Sequence, residues 1–181
     1  MSESALNARA KAAKKYRPEK TRILFVAESP PEPDDRYFYF EDVKQGDWLW
    51  IALMKAVFGT EFGKAKDERT RKTYWLARFQ KSGFRVIDAV KEPLCGTHER
   101  RVDQIKSAAP ELTKEIGRIA PDHIVLVKAS VHEALFALLT QLGLPIVNRT
   151  VLPFPCSGQQ KRFHTEFRQL VDSGRVHIKQ N

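Results

Sequence analysis

The sequence predicts a three-layer α/β protein, in which helices cover both faces of a central four-stranded parallel sheet. Short apolar runs that fit strands buried on both faces recur along the chain, and segments with helical periodicity separate them. A chain of 181 residues has room for one such domain and a short appended segment. Strands that alternate with helices favour right-handed crossovers, so we expect the strands to be parallel.

The first half of the chain predicts a basic segment, two strands and two helices. Residues 1–21 are expected to form a basic helix or arm, and the domain proper is expected to span 22–181. A buried strand is expected over 22–27. It ends at a turn with three prolines, which exclude both a helix and regular strand pairing there. Asp47 is a candidate N-cap for a helix that ends at Phe58. A basic helix with apolar positions at Trp75, Leu76 and Phe79 precedes a second strand over 84–90.

The second half continues the alternation. Pro110 is expected to begin a helix that Pro121 ends. The segment 130–133 (Ser-Val-His-Glu) has the spacing of a capping box, which predicts a helix start at Ser130. The remaining predicted elements are strands over 123–128 and 147–154 and a helix over 159–171.

Composition and charge limit the classes of function. The chain is 42% hydrophobic and 29% charged, which excludes collagen-like, coiled-coil and wholly disordered proteins. No apolar run approaches the roughly 18 residues of a membrane span, and residues 1–22 lack the apolar block of a secretory signal. A cytoplasmic protein without membrane contact is therefore expected. Two cysteines cannot form a disulfide framework or a four-cysteine cluster site.

The excess of positive charge indicates a polyanionic partner. The formal net charge is +9, and the first 22 positions carry seven basic residues against two acidic ones. Basic clusters of this kind are typical of nucleic-acid-binding proteins, because each neutralised phosphate releases counterions. The alternative is a basic surface that serves only solubility.

The candidate site lies where the predicted strands end. In parallel sheets, ligands bind beyond the carboxyl ends of the strands. We therefore expect the loops at 27–31, 88–93, 128–130 and 153–158 to meet at one edge of the sheet, which we call the rim. None of them has the glycine pattern of a dinucleotide or phosphate loop. Cys95, His98 and Cys156 resemble part of a zinc site without a clear fourth ligand, so we expect neither metal nor cofactor.

Four segments resemble motifs of the uracil-DNA glycosylase superfamily, in the family's order. The segment 27–31 (Ala-Glu-Ser-Pro-Pro) with the aromatic run after it looks like the first catalytic motif. The segment 88–91 (Asp-Ala-Val-Lys) is similar to the one that carries a base-reading Asn. The unit around Pro121 and Lys128 resembles the central crossover, and 153–163 resembles the second catalytic motif. The resemblance covers about residues 22–172 and identifies a divergent member without an iron–sulfur cluster.

The resemblance implies excision of a damaged or mismatched DNA base that has been rotated out of the helix. It implies that Glu28 orients water, that Ser29 stands where other members have a catalytic Asp or Asn, and that Ser157 helps to hold the departing base. Glu28 is alternatively a solvent-exposed acid or a helix cap, and Ser157 is alternatively only a helix N-cap. Phe154 occupies the family's His position and cannot donate a hydrogen bond, which weakens the case for an enzyme.

The remaining candidates contact the base or the DNA strand. Tyr39 and Phe40 are the preferred stacking residues within four consecutive aromatics, of which strand spacing would turn only two inward. An ionised Asp88 accepts hydrogen bonds only, so it favours a base other than uracil unless burial keeps it protonated; alternatively it pairs with Lys91. The residues expected to contact DNA are Lys128, Ser130, Gln159, Gln160, Lys161 and Arg162.

Two other functions remain open at this point. The same cleft can belong to a nucleic-acid or nucleotide-binding module without turnover, as Ser29 and Phe154 favour, or to a small-molecule enzyme on the same scaffold. Glu28 and Asp88 favour an enzyme over a binding module. The expected partner is double- or single-stranded DNA, and a monomer is expected.

Overall fold

The computed structural model describes residues 3–32 and 34–174 and shows an α/β protein with a parallel sheet flanked by helices. Three strands form the sheet in the order β2-β1-β3: β1 (Ile23–Ala27), β2 (Phe84–Asp88) and β3 (His123–Leu126). Ile23 lies opposite both Phe84 and His123, so the strands start level at the amino edge. Seven α-helices occur in the described residues: α1 (Glu3–Lys15), α2 (Trp48–Phe58), α3 (Ala65–Arg69), α4 (Lys72–Lys81), α5 (His98–Ile119), α6 (Ala129–Gln141) and α7 (Gln160–Asp172).

The alternating side chains of β1 separate two cores. Ile23, Phe25 and Ala27 pack on one face with α2, α4 and α7, whereas Leu24 and Val26 pack on the other face with α5 and α6. All five residues of β1 are buried, which explains why the strand reads as a continuous apolar run. None of the helices among the described residues is long and apolar enough to cross a membrane.

The predicted fourth strand is present only as two isolated parallel bridges, Ile124 with Ile146 and Val127 with Leu152. Between them, the buried side chain of Asn148 takes the place of a backbone partner. Its Oδ1 accepts from the Leu126 amide at 2.8 Å, and its Nδ2 donates to the Leu126 carbonyl at 2.9 Å. This side chain thus supplies hydrogen-bond partners for the amide and the carbonyl of Leu126 at the edge of β3. The segment therefore follows β3 without forming a regular strand pairing.

Two predicted helix starts are wrong. Pro110 lies inside α5, which begins at His98 after the N-cap Thr97. Pro110 is exposed, and the buried stripe of α5 continues from Ala109 to Leu112, so packing outweighs the lost hydrogen bond. The helix predicted from Ser130 begins one residue earlier, with Lys128 as its N-cap. Ser130 is therefore in the first turn, and its hydroxyl is free to bond elsewhere.

The basic N-terminal segment packs against the domain. Its helix α1 leads to Tyr16, which is buried and stacks on the ring of Tyr39 at 6.3 Å between centroids. Residues 37–40 form a turn rather than the strand spacing that was expected, with Phe38 and Tyr39 buried and Tyr37 and Phe40 half-buried.

A buried ion cluster anchors the helices that follow β1. The helix α2 begins after Asp47 as predicted, but the Asp47 side chain makes no capping bond. Its carboxylate instead accepts from Arg69 at 2.8 Å and from Lys72 at 3.2 Å. Burial lowers the pKa of Lys72 to about 8, and the Asp47 carboxylate opposes this shift.

Candidate functional site

The crevice between the carboxyl ends of β1 and β3 is the topological switch point of the sheet. The chain leaves β1 towards α2 on one face and leaves β3 towards α6 on the other. Connections that diverge from neighbouring strands open a crevice between them, and ligands of open α/β sheets bind there. The first charged residues after these two strands are Glu28 and Lys128.

Glu28 is the centre of a charged cluster in this crevice. Its residue surface is only 5% exposed. One carboxylate oxygen, Oε1, accepts from the Ser130 hydroxyl at 2.5 Å. The other, Oε2, accepts from Lys128 Nζ at 2.5 Å and from Arg101 Nη1 at 2.7 Å. The cluster thus joins β1 to the first turns of α5 and α6, and it carries two positive charges against one negative charge.

The surroundings keep Glu28 ionised. Burial alone would raise the pKa of its carboxyl group. Hydrogen bonds from Lys128 and Ser130, together with the charges of Lys128 and Arg101, outweigh burial and hold the pKa of Glu28 below its ordinary value. Glu28 is therefore a carboxylate at neutral pH, and it is a weak base.

The four loops of the rim meet as the sequence predicts. The Val90 amide donates to the Glu28 carbonyl at 3.0 Å, and the Leu94 amide donates to Ser29 Oγ at 3.3 Å. On the other side, the Lys128 amide donates to the Leu152 carbonyl at 2.7 Å. Lys128 Nζ also lies 5.8 Å from the ring centre of Phe154. Lys128 thereby connects the first loop to the last.

Lys128 has a backbone conformation that L-residues rarely adopt, with φ 90° and ψ 145°. Such a conformation costs about 1–3 kcal/mol and persists only where the surroundings impose it. Here two hydrogen bonds hold the residue at both ends: its backbone amide donates to the Leu152 carbonyl, and its ammonium group donates to Glu28. Strain of this kind concentrates at functional sites, so it agrees with a site at this crevice.

Asp88, at the end of β2, pairs in register with Ala27, the residue before Glu28. Burial raises the pKa of its carboxyl group to about 7; the charges of Lys91 and Arg9 oppose the shift, and the charge of Glu115 adds to it. Lys91 donates to the main-chain carbonyl of Asp88 at 3.2 Å and to Glu115 at 2.7 Å. A substantial share of Asp88 is therefore protonated at neutral pH.

The predicted stacking residues differ in accessibility. Tyr39 is 2% exposed, and its hydroxyl accepts from the Val86 amide and donates to the Val86 carbonyl. Tyr39 is therefore a core residue, and its hydrogen bonds hold the turn at residues 37–40 against β2. Phe40 is half-buried and meets the edge of Tyr37 at 5.3 Å. Phe154 is also half-buried, and its ring lies next to Lys128 of the charged cluster.

The predicted strand-binding residues surround the start of α7. Ser157 is exposed with φ 48° and is followed by Gly158 with φ 82°. The N-cap of α7 is Gln159, so Ser157 does not cap the helix. Gln160 is half-buried, whereas Lys161 and Arg162 are exposed on the first turn of α7.

Arg101 is the member of the cluster that the sequence does not reveal. It lies on the first turn of α5 and reaches Glu28 across 73 positions of sequence. A strand-end motif cannot find such a residue, because only the packing of α5 against the sheet brings it into range. Its Nε also donates to the Gly96 carbonyl at 3.1 Å, which fixes the orientation of the guanidinium group.

Two further observations bear on the interpretation of this site. Within residues 3–32 and 34–174, no group of three or more His, Cys, Asp or Glu residues lies together in a way that could hold a metal ion. No protein-family model matches the chain, and no curated protein matches it either. The geometry of the rim, with the motifs along it, is therefore the basis for assigning a function.

Proposed function

We propose that the protein acts on DNA, that its rim receives one base rotated out of the strand, and that it hydrolyses the N-glycosidic bond of a damaged or mismatched base. One observation carries this proposal: a buried, ionised Glu28 lies at the topological switch point, held by Lys128, Ser130 and Arg101. Buried charge at that position is costly unless it serves a ligand or is fully paired. The turn that follows Glu28 has the order of the glycosylase motif described above.

The cluster is suited to the charges that base excision creates. A carboxylate offers about four acceptor positions, and Glu28 uses three of them. The fourth can hold a water molecule against the sugar. The excess positive charge of Lys128 and Arg101 favours the departing base as an anion, and it favours the phosphates of the strand.

Asp88 supports a base-reading role on the same edge. With its pKa near 7, the carboxyl group is protonated in a large fraction of molecules at neutral pH. A protonated carboxyl group donates one hydrogen bond and accepts another, as an amide does. It can then face a base edge that presents a carbonyl and an imino hydrogen, so uracil-like bases fall within its range.

A second candidate function is binding without turnover. It is favoured by the partners of Glu28, because the hydrogen bonds from Lys128 and Ser130 and the charges of Lys128 and Arg101 lower the pKa of Glu28 and make it a poor general base. It is also favoured by Phe154, which offers no donor to a departing base.

The deciding experiment incubates the protein with oligonucleotides that each carry one modified or mismatched base, and then cleaves abasic sites with alkali. The glycosylase proposal expects cleavage at one or more lesions, with a loss of about 100-fold in Glu28→Gln. Glu111→Gln is the matched control, because Glu111 is exposed, lies outside the Glu28 cluster and pairs with Lys114 on its own helix.

The other outcomes separate the two candidates. If every lesion stays intact but Lys128→Gln weakens binding of the oligonucleotide, the protein is a binding module. If the wild-type protein neither cleaves nor binds any oligonucleotide, DNA is not its substrate. Because Glu28→Gln also affects stability, each variant is first shown to be folded by circular dichroism.

A further inference from the structure

A second basic surface lies at the amino edge of the sheet, on the opposite edge from the rim. It is a groove of about 720 Å³, which we call the amino-edge groove. Residues of α2, α4 and α7, mostly from their last turns, line it together with Arg22, which directly precedes β1. Five cationic side chains line the groove against two carboxylates: Arg22, Lys55, Arg78, Lys81 and Arg168 against Glu61 and Asp172.

The cations of this groove differ in whether they form ion pairs. Arg78 pairs with Glu61 at 2.6 Å. Lys55, Lys81 and Arg168 are exposed and have no ion pair with any residue in the described part of the chain. They come from three different helices, so their approach to one another is a consequence of the fold rather than of a local basic run. The charge of Lys55 also helps burial to lower the pKa of the neighbouring His164.

Flat aromatic and guanidinium groups lie along the same groove. Tyr74 is 45% exposed. Within the groove, the guanidinium group of Arg78 lies 4.6 Å from the centre of the Phe58 ring. The guanidinium group of Arg71, which is not part of the groove lining, lies 4.8 Å from the centre of the Tyr74 ring. Stacked guanidinium and aromatic groups present a surface on which nucleobases stack without regard to sequence.

We propose that the amino-edge groove binds a segment of single-stranded nucleic acid, with phosphates against Lys55, Lys81 and Arg168 and a base against Tyr74. A basic groove with stacking surfaces is the arrangement that single-strand-binding proteins share. This inference is independent of base excision at the rim, because none of its residues belongs to the Glu28 cluster.

The test measures fluorescence anisotropy of a labelled oligothymidine of about ten nucleotides, within the usual site size of such proteins. We expect the triple variant Lys55→Gln, Lys81→Gln, Arg168→Gln of the full chain to bind at least about tenfold more weakly than wild type. The control triple variant is Lys44→Gln, Lys66→Gln, Lys106→Gln, which removes the same charge from exposed positions outside the groove. It is expected to bind within about twofold of wild type.

Tyr74→Ala provides an independent readout, because an exposed ring can be removed without unfolding the protein. Its loss of stacking is expected to weaken binding by about fivefold or more. The rim variant Lys161→Gln, Arg162→Gln is measured in parallel. If only this rim variant weakens binding, the groove is not a strand site and the inference fails.

Three further results would overturn the inference. Equal losses in both triple variants would show that only the overall charge matters. Competition by inorganic phosphate or thymidine monophosphate as strong as that by the oligonucleotide would indicate a small-anion site instead of a strand site. Unchanged binding by the groove variant together with lowered stability would show that the three cations act on the helix C-termini alone.

Discussion

Glu28 shows how a single buried charge depends on its partners. In Glu28→Gln the ammonium of Lys128 and the guanidinium of Arg101 lose their shared counter-ion. Removing one member of a buried ion pair costs about 3–5 kcal/mol, and the partial exposure of both cations reduces this. We expect the free energy of unfolding, measured with urea at pH 7, to fall by about 2–3 kcal/mol.

The pH dependence of this loss distinguishes charge from packing. The folded-state pKa of Glu28 lies below its ordinary value, so its contribution is complete above about pH 4.3, the unfolded value, and is lost as pH falls through the folded-state pKa. The difference between wild type and Glu28→Gln should therefore shrink in acid. A difference that stays constant down to pH 3 would contradict the electrostatic explanation.

Asp88 is expected to change stability with pH in the opposite direction to Glu28. Its folded-state pKa of about 7 lies above the unfolded value of about 3.9, so the folded protein binds more protons between these values. Wild-type stability should then fall as pH rises across this window. We expect Asp88→Asn to be more stable than wild type at pH 8 and equal to it near pH 4, as measured by urea unfolding. A variant that is less stable than wild type at pH 8 would mean that the ionised carboxylate has a partner in the folded state.

At the scale of residues, the sequence identifies side chains at strand ends but not those that packing brings to them. Glu28, Lys128 and Ser130 follow apolar runs, so their convergence is predictable from the rule for parallel sheets. The position of Arg101 is not predictable, because nothing in the sequence of α5 indicates which edge of the sheet its first turn will contact. A run of four aromatics likewise does not show which rings enter the core. In the structure, Tyr39 is one of the buried rings.

At the scale of elements, Asn148 explains why β3 has no regular fourth partner. In Asn148→Ala the amide and the carbonyl of Leu126 lose their partners in a buried region. An unsatisfied buried polar group costs about 1–3 kcal/mol, so we expect a loss of about 2–4 kcal/mol in the free energy of unfolding. Thr150→Ala is the control: Thr150 is exposed in the same segment, and its main-chain carbonyl, which accepts from Asn148, is kept. Equal stability of the two variants would show that the backbone bridges alone hold this segment.

The elements that are predictable are those whose apolar pattern is long or uninterrupted. The three strands of the sheet and the helices α2, α4 and α7 lie within a few residues of their predicted positions. Local rules fail where tertiary contacts are stronger. Pro110 is tolerated because the buried face of α5 continues past it, and the Ser130 hydroxyl bonds to Glu28 rather than capping α6. The sequence shows which residues favour a helix start, but it does not show the tertiary contacts that outweigh this preference.

Across the whole protein, basic residues occur at both edges of the sheet as well as in the N-terminal segment. One of these edges is the rim, with Lys128, Lys161 and Arg162, and the other holds the amino-edge groove. A net charge of +9 predicts attraction to polyanions but not which edge holds the strand. Strands and helices that alternate in sequence put helix C-termini at the amino edge, and basic residues in those last turns therefore converge far from the strand-end loops.

The salt dependence of oligonucleotide binding measures the contribution of the amino-edge groove. Each phosphate contact with a single strand adds about 0.7 to the slope of log K against log salt concentration. Removing Lys55, Lys81 and Arg168 should therefore make the slope shallower by about 2. The control triple variant at Lys44, Lys66 and Lys106 carries the same net charge, so it should keep the wild-type slope. Anisotropy titrations at four or more salt concentrations give both slopes, and equal slopes would show that no strand phosphate contacts these three side chains.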